Sequence, residues 1–228
     1  MKRKKINTDI GESFLYKNSQ PAWWPAIDIH KKIFTCKKNE ILFKEGDKVE
    51  GVYFMLEGVV KVHKSWESEK ELIIRFAKGN DILGHRGLST YSNIYPITAT
   101  ALSKTTACFI DLAFFRTTMQ VNPGFSYAFM MFLADELLLS EQRMRDLAHM
   151  PVKARIARVL ISLEKKFGTN KEGFITFPVS RQDIASYAGT TYETVYKSIL
   201  DFSNAGIINT NGKSIAILDT EALASIIS

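Results

Sequence analysis

Side chains that can bind phosphates and base edges are concentrated near the C-terminal end of the chain. Ser180 predicts the start of a helix over residues 181–188, because its hydroxyl can accept a free backbone amide and Asp183 can reach back to the Ser180 amide. Thr191 can cap a second helix, from Tyr192 to about Asn204. Two helices joined at a sharp turn are typical of a helix-turn-helix motif.

The residues around this turn and after it favour the same interpretation. Small or apolar residues stand where the two helices must cross closely, at Ala185, Gly189 and Val195. Further along, Asn211-Gly212 separates two apolar-rich runs, 207–210 and 213–217, and Asn-Gly in that setting is a strong hairpin signal. A hairpin directly after a helix-turn-helix is a wing, so the sequence predicts a winged helix.

A winged helix places its second helix in the major groove of DNA, with the N-terminal turns against the base edges. The outward residues of that helix are Thr191, Tyr192, Glu193, Tyr196 and Lys197. Glu193 can accept from a cytosine amino group, and Lys197 can meet a guanine edge or a phosphate. Four residues suit phosphate contacts: Ser180, Arg181, Thr191 and Lys213. Contact with another protein is the alternative use of the same surface.

A long helix is predicted before this region, from Gly124 to about Met150, and Pro151 ends it. Spacings of three and four residues define one stripe on it, formed by Met130, Leu133, Leu137, Ser140, Met144 and Leu147. A narrow apolar stripe on a charged helix needs a partner helix, most simply that of a second copy of the chain. Burial in the core of one domain is the alternative.

The segment from about Ile27 to Leu112 contains short apolar runs separated by turn residues. The runs are 41–43, 52–56, 59–62, 72–74 and 107–110. Many short strands with regular turns indicate a sandwich, a jelly roll or a barrel. The sequence therefore predicts a β domain, then a long helix, then a winged helix.

The composition of the chain reduces the number of possible function classes further. The 228 residues include 30 basic and 24 acidic side chains, a net charge of +6 that permits binding to a polyanion, and a dense basic run occupies Lys2 to Lys5. No sufficiently long apolar stretch or secretory signal is present, so we expect a cytoplasmic protein that does not contact a membrane. The sequence contains no nucleophile–base signature, no phosphate loop and no usefully spaced carboxylate pair, so we do not expect an enzyme.

The chain also has few cysteines and histidines, the residues that most often bind metals. Two cysteines, Cys36 and Cys108, exclude a cluster that requires four thiolates. Four histidines are scattered without metal-ligand spacing, at positions 30, 63, 85 and 149, which argues against haem and against a metal site. The sequence therefore indicates no evident cofactor.

This order of elements resembles the Crp/Fnr family of bacterial transcription regulators. The matching motifs are 179–185, Gly189, 193–195 and 211–213 in the winged helix, and 41–47, 52–58, 78–84 and 121–123 upstream. The resemblance implies an α+β fold with a jelly-roll-like β-roll over residues 1–122, a dimerisation helix over 123–150 and a winged helix-turn-helix over 151–228. It implies a homodimer on a palindromic double-stranded DNA site, a small-molecule effector sensed by the β-roll, and a contact with RNA polymerase.

The expected effector pocket departs from the pattern of family members that bind cyclic AMP. Where those members carry Gly-Glu, this chain has Gly84-His85, and where they carry Arg-Ser it has Tyr95-Pro96. Without that arginine a phosphate lacks its bidentate partner, so we expect an effector other than cyclic AMP. The candidate pocket residues are Gly84, His85, Arg86, Gly87, Leu88, Tyr95, Pro96, Ser140 and Glu141.

The recognition helix departs from the family's pattern as well. Tyr192 and Lys197 each stand where the best-known member has an arginine, whereas Glu193 is retained. We therefore expect an operator that differs from that member's site.

Overall fold

A computed structural model describes residues 10–66 and 70–227 of the chain. The basic run Lys2 to Lys5 lies outside these residues. The chain divides into two compact units, with the division after Glu136. In the described part, no helix is both long enough and apolar enough to cross a membrane.

In the described part of the first unit, eight antiparallel strands form two sheets. They are β1 Lys32–Cys36, β2 Ile41–Phe43, β3 Gly51–Glu57, β4 Val60–Trp66, β5 Lys70–Ala77, β6 Ile82–Leu83, β7 Thr98–Ala101 and β8 Thr105–Asp111. One sheet has the order β1-β8-β3-β6 and the other β2-β7-β4-β5. Buried residues of both sheets share one apolar cluster, so the predicted jelly-roll-like sandwich is confirmed.

The start of the β domain differs from the sequence prediction. Ile27 lies in a helix, because the strands are preceded by α1, Phe14–Asn18, and α2, Trp24–His30. Pro25 explains the difference, since proline in the first turn of a helix lacks only an amide that would be unpaired there anyway. The strands therefore begin at Lys32 and not near Ile27.

Two helices follow the sandwich, and the second of them continues past the end of the first unit. They are α3, Leu112–Val121, and α4, Pro123–His149. The Asn122 side chain lies buried between them, accepts from the backbone amide of Gln20 and donates to the carbonyl of Thr118. The predicted long helix over about 124–150 is confirmed, and at 1.5 Å per residue the 27 residues of α4 span about 40 Å.

Aromatic rings attach the first half of α4 to the sandwich. Phe125 is fully buried and its ring contacts Phe14, Phe54, Phe115 and Phe129. Rings of this size bury a large apolar area each, and offset or edge-on pairs add to it. The N-terminal half of α4 is therefore fixed to the β domain by its phenylalanine face.

The second unit contains the predicted winged helix. Its elements are α5 Val152–Phe167, α6 Arg181–Ala188, α7 Tyr192–Asn204, β9 Ile208–Asn211, β10 Ser214–Ile217 and α8 Thr220–Ser225. The wing turn differs by one residue from the prediction. Asn211 pairs with Ser214, so the turn residues are Gly212 and Lys213, with Gly212 at a φ of 58° that suits glycine as the first residue of a two-residue turn.

One ion-pair cluster joins β4 to β5. Glu71 contacts Lys61 and lies 2.9 Å from Nδ1 of His63, whose Nε2 is 2.9 Å from the Thr100 hydroxyl. The hydrogen bond with His63 and the Lys61 charge bring the pKa of Glu71 down to about 2, although burial opposes them. Folding stabilises the ionised carboxylate, so this part of the stability is present above the unfolded pKa and is lost as the pH falls towards 2.

Replacing Glu71 with glutamine should remove this pH-dependent stability. At pH 7 we expect Glu71→Gln to lower the free energy of unfolding by about 2 kcal/mol. The difference from the wild type should shrink as the pH falls from 5 to 2, as measured by urea unfolding at each pH. The control, Glu50→Gln, changes an exposed carboxyl of the same unit and should cost no more than about 0.5 kcal/mol. A Glu71→Gln deficit that stays constant down to pH 2 would contradict the assignment.

Candidate functional site

Both helices of the helix-turn-helix begin with a side-chain cap. Ser180 Oγ accepts from the Asp183 amide at 3.0 Å and donates to the Asp183 carboxylate at 2.5 Å. Thr191 Oγ1 accepts from the Thr194 amide at 3.3 Å. Gly189 ends α6 at a left-handed φ of 64°, which allows the sharp turn. The caps fix where α7 begins, and with it which residues occupy its first turns.

One face of α7 is packed and the other is exposed. Val195, Ile199 and Phe202 are buried against the rest of the unit. The predicted contact residues Tyr192, Glu193, Tyr196 and Lys197 are exposed together on the opposite face. The Tyr192 and Tyr196 rings stack with their centroids 6.4 Å apart.

Leu200 lies on the same face, 49% exposed, and is an additional residue that the sequence prediction missed. Its position four residues after Tyr196 was the available signal. An exposed leucine on this face can contact a thymine methyl group.

Arg181 positions the wing. Its guanidinium donates to the Lys213 carbonyl at 2.9 Å and to the Gly212 carbonyl at 3.1 Å, and burial lowers its pKa from the ordinary value. Lys213 itself is exposed. The fork of Arg181 is therefore used within the protein to hold the tip that presents the Lys213 ammonium.

Arg155 is a second positioning residue, and no sequence pattern pointed to it. Nε and Nη2 donate to the carbonyls of Ala188 and Gly189, at 2.8 and 3.2 Å, and Nη1 donates to the Met150 carbonyl at 2.7 Å. Carbonyls at helix ends have no partner within their own helix. One side chain thus satisfies the end of α6, the turn before α7 and the residue just after α4.

Three of the predicted effector residues, Gly84, Gly87 and Tyr95, come together around the ring of Tyr95. Tyr95 is buried against Gly84 and Gly87, where an added Cβ would lie 3.4 and 3.2 Å from ring atoms. Its hydroxyl donates to the Gly51 carbonyl at 2.9 Å, and its ring stacks on Phe43. The ring fills the space beside the glycine turn and has its own hydrogen-bond partner.

The other predicted pocket residues take different environments. Leu88 packs against the aromatic core, and the Pro96 carbonyl accepts from Lys64 at 3.4 Å. Ser140 and Glu141 are exposed on α4 and belong to the second unit. Their role as effector contacts stays a prediction.

His85 and Arg86 meet a carboxylate that the sequence did not suggest. Glu136, on α4, is contacted by Nη1 of Arg75, accepts from Nη2 of Arg86 at 3.1 Å, and lies 3.6 Å from Nε2 of His85. Burial opposes ionisation, but these three neighbours bring the pKa of Glu136 down to about 2. Burial lowers the pKa of His85, with Glu136 opposing it, so the imidazole is neutral at pH 7.

The sequence matches two families of domains in the predicted order. Residues 33–122 match the cyclic nucleotide-binding domain, and residues 154–226 match the Crp-like helix-turn-helix domain. Together the two matches cover most of the chain.

Whole-chain similarity agrees with these matches. The transcriptional activator protein FnrA of Stutzerimonas stutzeri is 29% identical over 87% of this chain and 82% of its own length. A CRP-like cAMP-activated global transcriptional regulator of Mycobacterium tuberculosis is 28% identical over 94% of this chain and 96% of its own. The solved structure of FixK2 from Bradyrhizobium japonicum has the same fold, with a TM-score of 0.78, 22% identity, and coverage of 87% of this chain and 98% of that one.

These relatives are transcription regulators and not enzymes. Both domain matches, their order and the capped recognition helix beside its wing give one conclusion: the chain belongs to the Crp/Fnr family of DNA-binding transcription regulators.

Proposed function

We propose that this regulator acts as a homodimer that reads a palindromic DNA site with the exposed face of α7, under an effector other than cyclic AMP. The main observation in its support is that one face of α7 exposes Tyr192, Glu193, Tyr196 and Lys197 together. This face lies beside the wing, whose tip is held by hydrogen bonds from Arg181. Base-edge readers in the first turns of α7 and cations on the wing are what a major-groove reader needs.

The exposed stripe on α4 supports the homodimer. Four of its apolar side chains are between 40% and 67% exposed, namely Met130, Leu133, Leu137 and Met144. They recur at the spacing by which two helices interlock. A two-fold dimer would present two recognition helices, as a palindromic site with half-sites about 34 Å apart requires.

Two features of the β-roll support an effector other than cyclic AMP, even though the mycobacterial relative is described as activated by it. Tyr95 fills the space beside the glycine turn, where the family pattern expects an arginine–serine pair for the phosphate. His85, not a glutamate, follows Gly84. A cyclic phosphate in the place that the Tyr95 ring occupies would lack the family's arginine beside it, since the nearby Arg86 is paired with Glu136.

We extend the proposal to a contact with RNA polymerase and a cytoplasmic location. The relatives named as transcription activators support both, because activation requires access to the polymerase at its promoter.

Selection from a random DNA pool tests the proposal directly. The purified full-length protein, without added ligand, should enrich a two-fold symmetric motif with half-sites about one helical turn apart. Its affinity should fall by a factor of roughly 10³ between about 50 and 200 mM salt, because phosphate contacts release counterions. No enrichment at either salt, or an affinity that salt leaves unchanged, would favour a protein partner for the winged helix.

The Glu193→Ala variant tests the base contact. Loss of the carboxylate should relax the preference at one position in each half-site, by roughly 1–3 kcal/mol, in the same selection. The matched control, Glu172→Ala, removes an exposed carboxylate of the same unit outside α7 and should leave the motif unchanged. An unaltered motif in Glu193→Ala would refute this role.

A further inference from the structure

The cluster around Glu136 has more positive than negative charge among the residues that the structure describes. Arg75 and Arg86 are two permanent cations, His85 is neutral, and Glu136 is the carboxylate that they share. The side chains of Arg75 and Glu136 are each 13% exposed, that of His85 is 4% exposed and that of Arg86 is 26% exposed, so water screens the imbalance only in part. Buried charges are ordinarily balanced by partners, and here one positive charge is left over.

The same cluster has hydrogen-bonding groups without partners. Nε of Arg75, Nε of Arg86 and both ring nitrogens of His85 are buried and make no hydrogen bond within the described part of the chain. The His85 contact with Glu136, at 3.6 Å, is longer than a hydrogen bond. A neutral imidazole supplies one donor and one acceptor, so the cluster offers three unused N–H groups and one unused acceptor.

We propose that this cluster binds a small oxyanion, a carboxylate or a phosphate, and that Glu136 competes with it for Arg75 and Arg86. The inference rests on the proposed function, because it names the ligand class and the regulation of the same effector site. Arginine suits this role, since its planar fork can pair with either oxyanion in a bidentate manner.

Glu136 connects such a ligand to the rest of the chain. It lies on α4 at the residue where the two compact units divide, and the same helix continues to His149. With no anion bound, Glu136 ties α4 to β5 through Arg75 and to the turn after β6 through Arg86. When an oxyanion pairs with the two arginines instead, Glu136 loses its contacts with them. Binding of the oxyanion therefore shifts the equilibrium between α4 held by these contacts and α4 released from them.

Neighbouring groups hold Arg75 in a position from which it can pair with Glu136 or with the proposed oxyanion. Nη2 of Arg75 donates to the Ile82 carbonyl at 2.5 Å, and its guanidinium lies 6.0 Å from the centroid of the Phe132 ring. The His85 ring meets Phe132 edge-on at 4.8 Å. The site is therefore built before any anion arrives, with Phe132 as its apolar wall.

Thermal unfolding of the full-length protein tests the proposal. The probes are inorganic phosphate and succinate, with neutral succinamide as the uncharged match and potassium chloride added to keep the ionic strength constant. At least one anion should raise Tm in a saturable way, and succinamide should not. A response to phosphate alone or to succinate alone identifies which oxyanion the site takes.

Three variants separate the site from general anion effects. Glu136→Gln should bind the active anion at least tenfold more tightly than the wild type, because the internal competitor is neutral. Arg86→Met should bind it at least tenfold more weakly. The control, Arg116→Met, removes an exposed arginine of the same unit and should match the wild type. Should Arg86→Met fail to fold, the comparison of Glu136→Gln with the wild type decides alone.

Two results would overturn the inference. One is that no anion shifts Tm beyond the chloride control in either the wild type or Glu136→Gln. The other is that Glu136→Gln binds no more tightly than the wild type. Either result combined with an enriched palindromic motif would leave the proposed function standing. Anion binding as expected without any enriched motif would instead count against the proposed function alone.

Discussion

The structure depends on one helix, α4, part of whose apolar surface is left exposed by the residues that the structure describes. Its phenylalanine face, with Phe125 and Phe129 fully packed, is covered by the sandwich. The stripe that includes Leu137 and Met144 is exposed along the helix. Exposed apolar surface of this extent ordinarily marks an interface. The need to cover this stripe links the fold to the proposed dimer, and the proposed dimer to two-fold DNA recognition.

Arginine side chains donate hydrogen bonds to backbone carbonyls at the ends of the elements that present side chains to DNA. Arg155 satisfies two carbonyls at the turn before α7 and the Met150 carbonyl after α4, and Arg181 satisfies two at the wing. In the same unit Asp146 is held by Arg145 and Arg158, which keep its pKa below the usual value although burial opposes this. Charged hydrogen bonds of this kind are stronger than neutral ones. The turn before α7 and the tip of the wing are therefore held by contacts within the unit itself.

Much of the fold could be predicted from the sequence because its signals are local. Ser180 and Thr191 marked helix starts, the spacings of three and four residues marked α4, and short apolar runs between turn residues marked the sandwich. The winged helix was recognisable because caps, turn and hairpin follow one another within about 40 residues. The wing turn was misplaced by one residue, since pairing of Asn211 with Ser214 decides the register and Asn-Gly alone does not.

The candidate sites were only partly predictable, because their main contacts join distant parts of the chain. Nothing local suggests that Glu136 meets Arg75, 61 residues away, or that Tyr95 fills the space beside Gly84. Arg155 reaches carbonyls, which every residue carries, so residue type gives no signal for its partners. Leu200 could have been found by extending the helical period one turn further.

Sedimentation equilibrium of the purified protein tests the central claim, that the stripe on α4 is a dimer interface. The wild type should have about twice the chain mass of 25.8 kDa. Leu137→Glu should have the mass of one chain with its fold intact, because that side chain is exposed within the monomer, and the control Leu218→Glu should remain a dimer. A wild type with the mass of one chain, or a Leu137→Glu variant that stays dimeric, would contradict the account.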